Sequence, residues 1–457
     1  MKISRKQFLK QTSIVTFGFL AFTKLAAKEW VVGKNKLKLL NDSNGILNLP
    51  SGFSYQIISN HKDIMDDGLI VPNAADGMAC FSGSKNHVIL IRNHELGHLP
   101  KLGNMFKIKN PLGKNFPKYL KNNKDKIYDI KKNKTECFGC TTSIVYDTKN
   151  KKVVKQFLSL AGTLVNCSGG PTPWKTWISS EETVKGKKDG LRKNHGYNFE
   201  VKVTEDVHLT KAVPLKGMGR FRHEAVAIDP IYNLVYQTED REDGLFYRFI
   251  PKQMGDFKKG GKLQALSLKN FRGTDCSNWK QKIFEVGQKR IVKWIDLDDI
   301  DSPEDDLRIR GKNKGCASFA RGEGIWYAND YVYFTATSGG SEKAGQIWRY
   351  KHIGKRGAQG ELELFFESSG KNVLNSPDNI TISPWGDLIV SEDGKGSDRL
   401  VGIKPNGEYY YLAQNIFNNA EFAGATFSPN GEILFVNIYR PTMTIAITGP
   451  WEEFYKS

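Results

Sequence analysis

Short apolar runs alternate with turn residues along most of the chain. Phe53-Ser54-Tyr55-Gln56-Ile57-Ile58, His87 to Ile91, Leu234 to Thr238, Leu245 to Phe249, Trp326 with Tyr327, Val332 to Phe334, Asp387 to Val390 and Ile433 to Val436 are rich in β-branched and aromatic residues. Gly, Pro, Asn and Asp separate them. Runs of this length, bounded in this way, predict β-strands, and long helical periodicity is scarce. The C-terminal half repeats one hairpin signature. Ser383-Pro384-Trp385-Gly386-Asp387 and Ser428-Pro429-Asn430-Gly431-Glu432 each introduce an apolar strand, and Lys404-Pro405-Asn406-Gly407 is a looser copy. The first two start 45 residues apart, a spacing that suits one propeller blade. An all-β propeller closed into one domain is therefore expected over residues 28–457. A lysine-rich, weakly patterned stretch near 101–135 is expected as an insertion on one face.

The first 27 residues follow a different pattern. Basic Arg5, Lys6 and Lys10 precede an apolar run from Ile14 to Phe22, and small residues follow at Ala26-Ala27. This is the layout of a removable export signal, and it places the chain in the periplasm or outside the cell. No apolar stretch is long enough to span a bilayer. Removing Lys2, Arg5, Lys6, Lys10 and Lys24, with no acids, lowers the formal charge from +18 to +13. A basic exported protein favours anionic small molecules over nucleic acid as partners. Six cysteines in this length are too few for a disulfide scaffold.

Candidate chemistry centres on residues 166–182. In Asn166-Cys167-Ser168-Gly169-Gly170 and Pro171 to Pro173, the two glycines allow the backbone to approach something closely. A short strand, Thr176-Trp177-Ile178, then leads to Glu181-Glu182. One thiol and two carboxylates at the ends of this unit form a plausible metal cradle. His94-Glu95-Leu96-Gly97-His98 matches the zinc-peptidase motif H-E-x-x-H, but the preceding strand, Gly97 and Pro100 all oppose the helix that chemistry needs. Asn93, His94 and Glu95 remain candidate metal or substrate ligands at a strand end.

Carboxylates recur in further turns: His223-Glu224, Glu239-Asp240, Glu323-Gly324, Asp378-Asn379, Glu392-Asp393 and Glu421. In a propeller, equivalent turns of successive blades converge on the axis, where so many acids need cations to offset their repulsion. Hard oxygens suit calcium, and one thiolate among them suggests a transition metal as well. Arg321, beside Glu323, suits an anion clamp. A non-catalytic calcium-binding propeller that recognises a partner or carbohydrate is the alternative; such a module has no use for the Cys167 thiolate.

Taken in order, the Cys167 stretch, Arg222-His223-Glu224-Ala225, Thr238-Glu239-Asp240, Tyr247-Arg248-Phe249, Glu323-Gly324, Pro377-Asp378-Asn379, Glu392-Asp393-Gly394, Glu421-Phe422-Ala423-Gly424 and Thr448-Gly449-Pro450-Trp451 resemble the PhoX-type alkaline phosphatases. The N-terminus is similar to a twin-arginine signal, with Lys6 in place of the second arginine. The resemblance implies an exported phosphatase on a six-bladed propeller with inserted loops, and a monomer without stable membrane insertion is expected. It would act on small phosphomonoesters, with diesters or triesters also in range, at a site of ferric iron and calcium. By that likeness Cys167 bridges two irons, with Glu182 and Glu224 as further iron ligands. Glu323, Asp378, Asn379, Glu392 and Asp393 belong to the iron and calcium shell, Glu95 and Asn93 complete it, and Arg321 holds the substrate phosphate. Lys175 stands where the family commonly has glycine. Cys137 and Cys140 have no place in the pattern and are expected to form a disulfide.

Overall fold

The computed structural model describes residues 38–97, 110–130, 137–353 and 359–456. The proposed export signal lies outside these residues, and so does His98. The strands foreseen from the apolar runs are present, among them Ser54–Asn60, His87–His94, Leu234–Glu239, Leu388–Glu392 and Leu434–Ile438. The three hairpin signatures close in the same way. The amides of Gly386, Gly407 and Gly431 bond to the carbonyls of Ser383, Lys404 and Ser428, with each glycine at a positive φ that a side chain would resist.

Six strands pack neighbour against neighbour in a closed ring: Ala75–Ser82, Asn166–Pro171, His223–Asp229, Gly322–Ala328, Pro377–Ile382 and Phe422–Phe427. Further antiparallel strands extend outward from each. The arrangement is propeller-like, but the expected six separate blades need correction. Hydrogen bonding gives four blade-like sheets and one nine-stranded sheet. The strand Lys289–Asp296 is the reason. Its first half pairs with Gln359–Glu367 and its second half with Gly261–Leu268, so it joins two outer edges. The nine-stranded sheet thus runs out from one inner strand and returns to the next, and its two ends pack against each other.

The ring is closed by strands from both ends of the chain. Ser54–Asn60 pairs with Met443–Thr448 in the sheet that begins at Phe422, and Leu47–Pro50 pairs with Tyr409–Asn415. Apolar faces fill the spaces between sheets. Met78, Leu90 and Ile144 meet Phe435 and Ala446, for example, and bury the seam where the first sheet meets the last. Residues 110–130 of the anticipated insertion are built into the molecule. The helix Phe116–Asn122 buries Phe116 and Leu120 against Leu69, Leu158 and Ala161.

None of the six cysteines is disulfide-linked, which corrects the Cys137–Cys140 expectation. The two side chains pack into different places, Cys140 with Leu158 and Ala161, and Cys137 with Leu164 and Leu191.

The close approach expected of the Gly169-Gly170 pair is present. A Cβ on Gly170 would lie 1.8 Å from the carbonyl oxygen of Val226 in the next inner strand. Gly170→Ala must therefore push two inner strands apart. It is expected to destabilise the fold by about 3 kcal/mol, read from the midpoint of urea unfolding.

Candidate metal centre

Each of the six inner strands carries a β-bulge near its start. Between Ala75 and Met78, Asn166 and Gly169, His223 and Val226, Gly322 and Ile325, Pro377 and Ile380, and Ala423 and Thr426, the strand gains one residue over its partner. A bulge turns a side chain out of the pleat's alternation and re-aims it. The first bulged residues are Asp76, Cys167, Glu224, Glu323, Asp378 and Gly424. Five strands therefore offer a metal-binding side chain at one shared structural position, and the sixth offers hydrogen. Most of the candidate donors come from these bulges; Glu182, which follows the strand Thr176–Glu181, does not.

The geometry brings these groups together. Ligand atoms of Cys167, Glu182 and Glu224 lie within 4.8 Å of one another, and so do those of Glu224, Glu323 and Asp378. Glu224 belongs to both groups. The Cys167 thiol donates to Asp76 Oδ2 at 3.3 Å. Burial raises Asp76, Glu224 and Glu323 well above the usual carboxylate range, and repulsion from neighbouring acids, Asp378 among them in each case, adds to it. Burial, then Asp393, pushes Asp378 up to about 8. Burial, then Asp76 and Glu224, raises the Cys167 thiol well above its ordinary value. Both oxygens of Glu224 and Oδ1 of Asp76 are buried without a hydrogen-bond partner. Buried carboxylate oxygens that no protein donor satisfies are stable only as acids or as cation ligands.

The other expected residues are placed as follows. Glu95 and Asp393 stand at the edge of the group, coupled electrostatically to its acids, and Glu95 accepts a hydrogen bond from the Tyr439 hydroxyl. Asn379 donates to Asp378 Oδ1 at 3.0 Å and accepts the Gly424 amide at 2.6 Å, so its amide joins two inner strands. Asn93 donates to the carbonyls of Cys167 and Ser168 and accepts from Trp177 Nε1 and Ser179 Oγ, both at 2.9 Å. These contacts fasten the bulge that carries Cys167. Glu392 is clasped by Arg399 at 2.7 and 2.8 Å and also accepts two backbone amides. His94 ends a strand, with Nδ1 on the Asn73 carbonyl and Nε2 on Thr142 Oγ1, so the peptidase-like helix does not form. Lys175 adopts a φ of 60°, the left-handed turn in which glycine costs less.

Sequence reasoning missed Asp76, and it counted Glu421 among the recurring acids without giving it a ligand role. Asp76-Gly77 repeats the pairing of Glu323-Gly324, in which the acid points inward and the glycine admits the neighbouring strand. A Cβ on Gly77 would meet Ser168 at 2.5 Å, and one on Gly324 would meet the Asp378 carbonyl at 2.5 Å. That dipeptide at a strand start was the available signal. Glu421 lies beside Asp393 and is raised by burial and by that neighbour.

Beside the acids opens a polar cavity of about 300 Å3, lined by Arg222, Asp240, Arg241, Glu242, Asp243, Arg308 and Arg321. Arg321 Nε bonds Asp240 and its Nη2 bonds Glu323, each at 2.6 Å. Burial alone would lower this guanidinium, but Glu323 and Asp240 outweigh it and hold it fully charged. Arg222 reaches Glu182 and, at 3.1 Å, Asp240. Two cations thus stand where an anion entering this cavity would meet the acid cluster.

A family model described as alkaline phosphatase PhoX matches residues 35–442. The chain belongs to the PhoX alkaline phosphatases. It is accordingly a phosphoric ester hydrolase of a metal-dependent family, and the non-catalytic reading is set aside. Among solved structures, this PhoX chain is similar to Pseudomonas fluorescens PhoX in complex with vanadate, a transition-state analogue. The identity is 16%, the match covers 91% of this chain and 97% of that one, and the TM-score is 0.65. A luciferin-regenerating enzyme matches at 12% identity over 87% of this chain and 96% of its own, with a TM-score of 0.43. A gluconolactonase from Xanthomonas campestris matches at 10% identity over 86% and 98%, with a TM-score of 0.42. No curated protein matches the chain in sequence. The donor set of this PhoX member fits resident metal: one sulfur, several carboxylates and three buried, unpartnered oxygens. Among the described residues, no helix is long and apolar enough to cross a membrane.

The raised carboxyls set a testable pH dependence. In protein stripped of metal by a chelator, the folded state binds protons on Asp76, Glu224, Glu323 and Asp378 more tightly than the unfolded chain does. Their contribution is then complete at acidic pH and is lost as pH rises through about 8, the value for Asp378. Urea unfolding of the stripped protein is expected to give lower stability at about pH 8 than at about pH 5, with the difference reduced once metal is restored.

Proposed function

We propose that this chain is an exported phosphatase that hydrolyses small phosphomonoesters at a centre of ferric iron and calcium, with diesters and triesters as further candidates. One observation carries the reading: Cys167 occupies the same bulge position as four carboxylates, so a soft donor and hard donors face one space. Cys167, Glu182 and Glu224 are assigned to iron. Glu323, Asp378 and Asp76 are assigned to calcium, with Asp393 and Glu95 at its edge. Asn379 and Asn93 brace the bulges, and Glu392 is paired with Arg399, so we assign no metal to these three.

The cations, when bound, supply positive charge to the phosphate oxygens and the departing alkoxide. The remaining work falls to the chain. Arg321 and Arg222 receive the phosphate in the mouth beside the acids, and each guanidinium has donors to spare for an equatorial oxygen. Asp240, bonded to both arginines, fixes their orientation. The buried ring of inner strands behind the acids excludes water, which strengthens every electrostatic contact with the reacting group.

Hydrolysis of p-nitrophenyl phosphate by the purified enzyme, with iron and calcium counted by mass spectrometry, tests the reading. Cys167→Ala is expected to lose iron together with at least about a hundredfold of kcat, and a calcium chelator to abolish turnover. Arg321→Ala should cost about a hundredfold in kcat/KM while metal content stays intact. A Cys167→Ala protein that keeps both its iron and its activity would overturn the assignment.

A further inference from the structure

A second group of metal-binding side chains lies outside the catalytic cluster. Asp129, Cys137 and His195 are all buried, and their ligand atoms lie within 4.8 Å of one another. His195 Nε2 is 3.4 Å from Asp129 Oδ2 and 3.7 Å from Cys137 Sγ. Its other ring nitrogen, Nδ1, bonds Glu181 Oε1 at 2.6 Å. The remaining lone pairs of that carboxylate are taken by the amides of Leu164, Gly196 and Tyr197.

Two features point to a ligand. The first is distance. Tetrahedral zinc with ordinary bond lengths places its nitrogen and oxygen ligands about 3.3 Å apart and its nitrogen and sulfur ligands about 3.6 Å apart, close to the separations seen here. The second is the outer contact. A metal-ligating histidine ordinarily gives its distal N–H to a carboxylate that fixes tautomer and ring orientation, and Glu181 stands in that relation to His195. The ring is further held edge-on by Tyr128 at 5.1 Å. Histidine, thiolate and one carboxylate together form a donor set for a borderline-soft divalent ion.

We propose that Asp129, Cys137 and His195 bind a structural zinc ion, with water in the fourth position. Binding displaces the thiol proton of Cys137 and any second proton on His195 to solvent, and Asp129 binds as its carboxylate. The ion would tie together three distant segments: the end of the 110–130 insertion, the approach to strand Gly139–Asp147, and the loop after Glu181-Glu182. Through Glu181 it would also brace the strand end that leads into Glu182, although the site does not depend on the assignment of iron or calcium. The rival arrangement has a protonated His195 clasped between Glu181 and Asp129 with no metal. Burial by itself pulls the imidazole down, but Glu181, Asp129 and Cys137 outweigh it and push it up to about 11.

Crystals of the wild-type protein equilibrated with zinc, measured on either side of the zinc absorption edge, decide between these arrangements. An anomalous peak among Asp129, Cys137 and His195 is expected, and its absence there overturns the proposal whatever occupies the catalytic cluster. In solution, cobalt serves as the probe, in a Cys167→Ser background that removes the catalytic thiol. That variant is expected to show a thiolate-to-cobalt charge-transfer band. Adding Cys137→Ser should abolish the band, and adding His195→Gln should weaken cobalt binding at least about tenfold. A band unchanged by Cys137→Ser, in protein whose circular dichroism is native, overturns it as well.

Discussion

Five carboxylates and a thiol share one buried space, and among the described residues no other group imposes so strong a demand. Asp76, Glu182, Glu224, Glu323 and Asp378 are each less than a tenth exposed, and Cys167 lies among them. Without cations, such a group must hold protons at a pH where carboxyls ordinarily release them, and the raised carboxyls measure that cost. With cations, the same repulsion becomes affinity. The fold can carry this concentration of acids because the ring of inner strands is held from outside, by apolar seams between sheets and by strand pairing that closes the ring with both chain ends.

The bulge is the device that converts a sheet into a site. A regular strand sends alternate side chains to its two faces, toward neighbouring sheets. One inserted residue breaks that alternation and frees a side chain for the axis. Repetition of this single local feature in six strands explains why residues up to 302 positions apart, Asp76 and Asp378, reach the same space. It also explains why glycine follows the acid in two of the strands, where a side chain would collide with the next inner strand. In the last strand, Gly424 replaces a donor with a close contact to the Asp76 carbonyl, and Asn437 bonds that same carbonyl at 2.8 Å. The seam is thereby locked beside the cluster.

At the mouth, basic and acidic groups are interlocked. Asp240 holds Arg222 and Arg321, and each arginine also reaches a carboxylate assigned to metal. Metal occupancy and anion capture are therefore coupled electrostatically through shared partners, because any change in the charge at Glu182 or Glu323 alters the field on the guanidinium bonded to it.

Residue order alone determined the strand content, the hairpin turns with their glycines, the membership in a phosphatase family and most of the acids of the cluster. These features are local: a β-prone run between turn residues, or an acid beside glycine at a strand start, carries its meaning in a few positions. Tertiary structure alone decided the rest. Lys289–Asp296 joins two sheets because two distant edges happen to meet it, and no local pattern encodes a pairing with both. Asn93 and Glu392 stand among the expected polar groups, yet the neighbours Trp177, Ser179 and Arg399 occupy much of their hydrogen-bonding capacity. Asp76 stood unmarked in the sequence until the bulge register of the strand Ala75–Ser82 aligned it with Cys167 and Glu224. Cys137 faces His195 rather than Cys140, because packing, and not sequence spacing, sets which buried side chains can meet.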